Sequence, residues 1–79
     1  MFAYVLIKIE AGKEEYVFSK VKKIEKIQKL IEVLGPYDGV ALAEIEDEKE
    51  LEEVIVKKLR TIEGIKETIT LVAIKEHKS

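Results

Sequence analysis

The sequence predicts a small α+β domain in the order β-α-β-β-α-β, a four-stranded antiparallel sheet with two helices on one face. Three observations predict it. The first is an internal echo. IKIEAGKEEYVFSKVKKIEKI, residues 7–27, and AEIEDEKELEEVIVKKLRTIEGI, residues 43–65, both run from a strand ending in Ile-Glu through a charged step. Each then passes through a helix-like stretch to Lys-Lys and Ile-Glu-x-Ile, and into another apolar run. The second is a switch of apolar period between strand and helix along the chain. The third is the turn Gly35-Pro36-Tyr37-Asp38-Gly39, which separates two apolar runs where the two units meet.

The elements follow in order. Phe2–Ile9 is rich in β-branched and aromatic residues and reads as a strand. Val17, Val21 and Ile24 fall on one helical face, with Tyr16 beside them, in a helix that starts near Gly12-Lys13. A second strand runs over about 28–34 and a third over 39–45, joined by the turn. In the second helix Leu51, Val54, Ile55, Leu59 and Ile62 form one apolar stripe. Asp47 with Glu50 three residues on resembles a capping box, and Glu53 with Lys57 is an i, i+4 ion pair. Gly64 ends that region, and 68–75 is the last strand.

A chain of 79 residues is one domain, residues 1–79. At this size folding buries only about 60% of the surface the unfolded chain exposes, so the fold gains from association. The composition, 47% hydrophobic and 38% charged, is that of a globular chain. With 14 basic and 16 acidic residues and no basic stripe interleaved with aromatics, the sequence argues against direct nucleic-acid contact. Without cysteine, neither a disulfide frame nor a thiolate metal site is available. The N-terminal stretch lacks the pattern of a secretory signal, and the apolar runs are far short of a membrane span, which points to a cytoplasmic chain. Asn is absent, Gln occurs once, and Glu, Lys and Ile are abundant, a bias of thermophile proteins.

Both faces of the predicted sheet are apolar. Ala3, Val5, Ile7 and Ile9 point one way and Phe2, Tyr4 and Leu6 the other, while Ile69, Leu71 and Ala73 oppose Thr68, Thr70, Val72 and Ile74. A solvated antiparallel face would alternate cleanly with polar residues. Two helices cover one face, so the other is expected to stack on a second copy, sheet to sheet.

The sequence offers no set of groups that supports an enzyme. The one His, His77, sits two residues from the C-terminus, and Ser19 and Ser79 lack a base and an orienting partner. The glycines form neither a dinucleotide nor a phosphate loop. No spacing suits a metal, and no cofactor is implied. Two polar features remain. Tyr37-Asp38 interrupts an apolar hairpin, and Thr68-x-Thr70 places two hydroxyls on one strand face. Taken alone, the first is a turn residue bonding nearby backbone and the second is ordinary β-propensity. Together they suit a free amino acid. Gly35 permits close approach, the turn N–H groups of Tyr37, Asp38 and Gly39 are carboxylate donors, and Asp38 can receive an ammonium. Thr68 and Thr70 add hydroxyls, and the Tyr37 ring walls the site.

These features resemble one family. The stretch LIEVLGPYDGVALAEIE followed by LEEVIVKKLRTIEGIKETITLVAIKE is similar to the C-terminal effector-binding domain of the leucine-responsive regulatory protein/AsnC regulators, the RAM domain. The match rests on the Gly35-Pro36-Tyr37-Asp38 turn, on Leu59-Arg60-x-Ile62-x-Gly64-Ile65 and on Thr68-x-Thr70, and it spans residues 3–76. The resemblance implies a ferredoxin-like fold, sheet-to-sheet dimers (dimeric α+β barrels) that assemble further, commonly into octamers, and an effector amino acid between subunits. It carries Gly35, Tyr37, Asp38, Thr68 and Thr70 over as the ligand-binding set. Leu34 stands where many relatives have a threonine. The chain begins at the first strand of that domain, without the helix-turn-helix of full-length members, so the resemblance implies a stand-alone sensing module that modulates transcription regulators, full-length Lrp/AsnC proteins among them. The alternatives are a purely structural oligomerisation partner of those regulators and a small dimeric α+β-barrel enzyme.

Overall fold

The computed structural model describes all residues, 1–79. Its elements are β1 (Phe2–Ile9), α1 (Glu14–Val21), β2 (Ile27–Glu32), β3 (Gly39–Glu44), a second helix over 48–59 called α2, and β4 (Ile65–Val72). The sheet order is β2-β3-β1-β4 with every pairing antiparallel. This is the ferredoxin-like βαββαβ arrangement, with β1 and β3 central and β2 and β4 at the edges.

The alternation read from β1 decides the core. Ala3, Val5, Ile7 and Ile9 are buried beneath the helices, joined by Ala41 and Ala43 of β3. Val17, Val21 and Ile24 come down from the first helical region, and Leu51, Ile55 and Leu59 from α2. Small alanines on β3 opposite the larger aliphatics of β1 let the helices seat closely on the sheet. Gly39 fits the same logic: a Cβ there would stand 2.7 Å from Cε1 of Phe18, so only glycine leaves room for that ring against the strand.

α2 has a mixed helical character. An α turn (Glu48–Glu50) leads into a π-helical stretch (Leu51–Val56) and a closing α turn (Lys57–Leu59). The cap forms as expected, with the Asp47 carboxylate accepting from the Glu50 N–H at 2.8 Å. The reciprocal bond runs to the Glu46 N–H, one residue earlier than in a standard capping box. A four-residue step overshoots one α turn and undershoots one π turn, so the mixture keeps Leu51, Ile55 and Leu59 in line over the sheet. The expected Glu53–Lys57 pair is not formed. The ion pairs of this helix are instead Glu52 with Arg60 and Glu50 with Lys26, each at 3.8 Å.

The strand bounds differ from expectation at two places. β4 runs over Ile65–Val72, not 68–75. Its only neighbour is β1, which dictates the length of the ladder. Gly64 turns the chain at φ +104, its carbonyl accepts from the Glu10 N–H at 2.7 Å, and pairing starts at once with Ile65 opposite Ile9. β2 stops at Glu32; the Val33 N–H still donates to the Asp38 carbonyl at 2.9 Å across the mouth of the turn, and Leu34 beyond it is fully exposed.

The register assigns the faces. Thr68, Thr70 and Val72 stand opposite Ile7, Val5 and Ala3, on the helix side. Ile69 and Leu71 stand opposite Leu6 and Tyr4, on the open side, which Phe2, Val40, Leu42 and Ile31 share. No element of the chain covers that face, and Ile31 and Leu71 remain half exposed at 52% and 50%. No helix is long and apolar enough to cross a membrane.

Candidate functional site

The turn between β2 and β3 is built around Asp38. Its backbone carbonyl accepts from Val33, and its N–H donates to the Ile7 carbonyl at 2.9 Å. Its carboxylate Oδ2 accepts from the Ile9 N–H at 2.7 Å. The last bond sits where β1 shifts register against β4, between Lys8 and Ile9. Asp38 therefore serves the irregular end of β1 with a charge-assisted bond. Of the carboxylate donors read from the turn, its own N–H is already spent within the chain.

Tyr37 carries the turn to the other side of β1. Its hydroxyl donates to Glu67 Oε2 of β4 at 2.7 Å. This bond chiefly raises the Tyr37 pKa above the usual tyrosine value, and loss of surrounding water and the Glu67 charge act in the same direction. A raised folded pKa means that the contact is intact below the unfolded tyrosine value of about 10 and is lost as pH rises through the higher folded one. In an ultraviolet titration, one of the three tyrosines is expected to ionise late and to return toward the ordinary value in Glu67→Ala. An unchanged titration in that variant would contradict the contact.

The five residues singled out in the sequence thus lie as follows. Tyr37 and Asp38 are half-buried and tied to β4 and β1 respectively. Thr68 follows Glu67 directly and stands opposite Ile7, whose carbonyl takes the Asp38 N–H. The turn and Thr68 therefore flank the same end of β1. Thr70 is two residues further along on the same face, and both threonines are half-buried. Gly35 is at the exposed tip. The threonines lie on the helix side, so a copy stacked on the open face would not meet them.

The sequence reading passed over a groove of about 270 Å³ between the end of α2 and β4, lined by Leu59, Arg60, Ile62, Ile65, Glu67 and Thr68 among others. Its signal was present in Leu59-Arg60-x-Ile62, which served only as a family marker. A larger groove of about 1000 Å³ lies at the opposite edge, by Glu14, Phe18, Leu30 and Glu32, and holds none of the five residues. No group of three acidic, His or Cys side chains is placed to hold a metal ion.

Residues 2–79 match the model of the Lrp/AsnC ligand binding domain. The chain belongs to that family. The family is a ligand-binding regulatory domain of transcription regulators and not an enzyme family. The Lrp/AsnC domain described here is 35% identical over 78 residues to the HTH-type transcriptional regulator FL11 of Pyrococcus abyssi (strain GE5 / Orsay), covering 99% of this chain and 51% of that protein. It spans about half the length of the curated relatives it matches. TTHA0845 from Thermus thermophilus superposes with a TM-score of 0.90 at 28% identity, over 99% of this chain and 98% of that one. PHS023 from Pyrococcus horikoshii does so with a TM-score of 0.82 at 33% identity, over 96% and 92%.

Proposed function

We propose that this domain is a cytoplasmic sensing module that binds an amino acid at the junction of the Tyr37-Asp38 turn with β4, and that it acts by changing how copies of the chain, or full-length Lrp/AsnC regulators, assemble. The observation that carries this reading is the Tyr37–Glu67 hydrogen bond. It joins the polar turn to the strand bearing Thr68 and Thr70, and so gathers groups for an ammonium and a carboxylate at one edge of a ligand-binding domain.

The assembly follows from the two faces. The uncovered apolar face suits a sheet-to-sheet dimer. The candidate site straddles the β4 edge, with Thr68 and Thr70 on the helix side and Glu67, opposite Lys8, on the open side; it is only half-buried, so its closure calls for a further contact, between dimers, and a ring such as an octamer supplies one. An effector shifts that equilibrium only by the difference in its affinity for the assembled and open states.

Calorimetry against the twenty common amino acids tests the site, with two substitutions at Asp38. Asp38→Ala removes the acceptor for the Ile9 N–H and is expected to cost about 1–3 kcal/mol of stability, so weaker binding by that variant is ambiguous. Asp38→Asn keeps an acceptor there and removes the charge. It is expected to melt near the parent and to bind at least about tenfold more weakly. Binding by Asp38→Asn equal to the parent would take the turn out of the site.

One observation favours a second reading, that of an oligomerisation partner with no effector. The Asp38 carboxylate and N–H both have structural work in β1. Capture of full-length Lrp/AsnC regulators by a chain that binds none of the amino acids would support it.

A further inference from the structure

The candidate site uses the β4 edge of the sheet. The other edge strand, β2, has no strand of the chain beyond it, so one row of its backbone groups is unpaired. Which groups these are follows from the turn. The Val33 N–H donates to the Asp38 carbonyl. Antiparallel bonding alternates along a strand, so Ile31 bonds toward β3, opposite Val40, and the N–H and C=O groups of Leu30 and Glu32 point outward. A register shift between Ile27 and Lys29 breaks the regular edge at one end, and the chain leaves the strand after Val33 at the other. The regular edge is thus 29–33, with Ile31 at its centre and half exposed.

This edge carries opposite charge at its two ends. α1 returns from the end of β1 to the start of β2, and so runs antiparallel to β2. In the groove of about 1000 Å³ beside it, Glu14, Glu15 and Glu32 lie toward one end and Lys22, the only basic residue of the groove, toward the other, over Phe18 and Leu30. Glu14 is engaged with the Gly12 N–H, whereas Glu15, Lys22 and Glu32 have no ion-pair partner within the chain. A strip that is acidic at one end and basic at the other complements its own copy when that copy is turned around.

We infer that β2 pairs with β2 of a second copy, antiparallel about a two-fold axis at Ile31, and joins two sheets edge to edge. In this register the outward groups of Leu30 and Glu32 bond to Glu32 and Leu30 of the partner subunit, and Ile31 meets Ile31 of the partner subunit. Lys29 stands opposite Val33 of the partner subunit, so no like charges face each other directly. The Lys22 end of each groove comes alongside the Glu15 and Glu32 end of the other. An axis at Leu30 would draw in the register shift, and an axis at Glu32 would set two carboxylates face to face. A contact through one short strand is smaller than a standard interface, so it forms well above micromolar concentration and adds to stacking through the open face.

Sedimentation of the full chain from about 10 μM to about 1 mM tests the pairing. At the top of that range the parent is expected to reach twice the mass of Glu32→Pro, of Lys22→Glu and of Glu15→Lys. Glu32→Pro removes an outward N–H and no bond to β3, so its circular dichroism should match the parent's. Lys22→Glu and Glu15→Lys each set like charges across the axis. An equimolar mixture of these two is expected to regain the parent mass, because each chain supplies the charge that the other lost. A role of the two residues within their own chain would give no such rescue. A parent whose mass does not rise toward millimolar concentration would overturn the inference. So would a folded Glu32→Pro, or either charge variant alone, that reaches the parent mass. A mixture that keeps the mass of its separate components would overturn the two-fold register.

Discussion

Ile7→Ala is expected to lower the folding free energy by about 2–5 kcal/mol, the cost of emptying a fully buried β-branched site. Ile7 lies on a central strand, paired with Gly39 on one side and Thr68 on the other, beneath the helices. Its carbonyl also anchors the Asp38 N–H, so any backbone shift into the cavity loosens the turn. Total stability for a chain of this length is roughly 4–12 kcal/mol, so a large fraction goes with one side chain. The melting temperature should fall on the order of 20 °C, and Ile7→Val should lose only about 0.5–1.5 kcal/mol. Thermal and urea melts of the two variants check this, and a mild Ile7→Ala would mean that the core collapses onto the site.

The second large effect concerns association. Leu71→Glu is expected to leave the monomer folded and to abolish the dimer. Leu71 is half exposed on the edge strand β4, opposite Tyr4 and on the face with Phe2 and Ile69. In one chain the new carboxylate stays in water. In a two-fold sheet-to-sheet dimer it appears twice, and each buried charge without a partner costs several kcal/mol. At about 1.4 kcal/mol per decade, the dissociation constant should rise by more than about a hundredfold. Sedimentation at micromolar concentration should show a dimer for the parent and a monomer of unchanged circular dichroism for the variant. A parent that sediments as a monomer, or a variant that stays dimeric, would rule out stacking through this face.

The two faces of the sheet were legible because alternation is a local property. Ala3, Val5, Ile7 and Ile9 needed no partner to be recognised as a set, and neither did Thr68 with Thr70. Which side the threonines share was not legible, since it depends on their register against β1. The early start of β4 was hidden for a similar reason. Ile65-Lys66-Glu67 has little strand character of its own, and the Gly64–Glu10 contact that starts it crosses the whole domain. Asp38 was recognised as unusual, but its donor Ile9 lies 29 residues away, so a structural bond looked like a free carboxylate. The Tyr37–Glu67 bond spans 30 residues and was equally invisible, although it brings the turn to the strand. The π-helical stretch has no local signature in Leu51–Val56.

We propose that an amino acid occupies the edge where the turn meets β4. A crystal structure of the full chain grown in a millimolar mixture of the amino acids tests it most directly. Ligand density is expected to touch the Tyr37-Asp38 turn, Glu67 and Thr68, with a neighbouring subunit closing over it. An ordered, ligand-free edge in that crystal, or density seated only in the groove by Phe18 and Leu30, would contradict the claim.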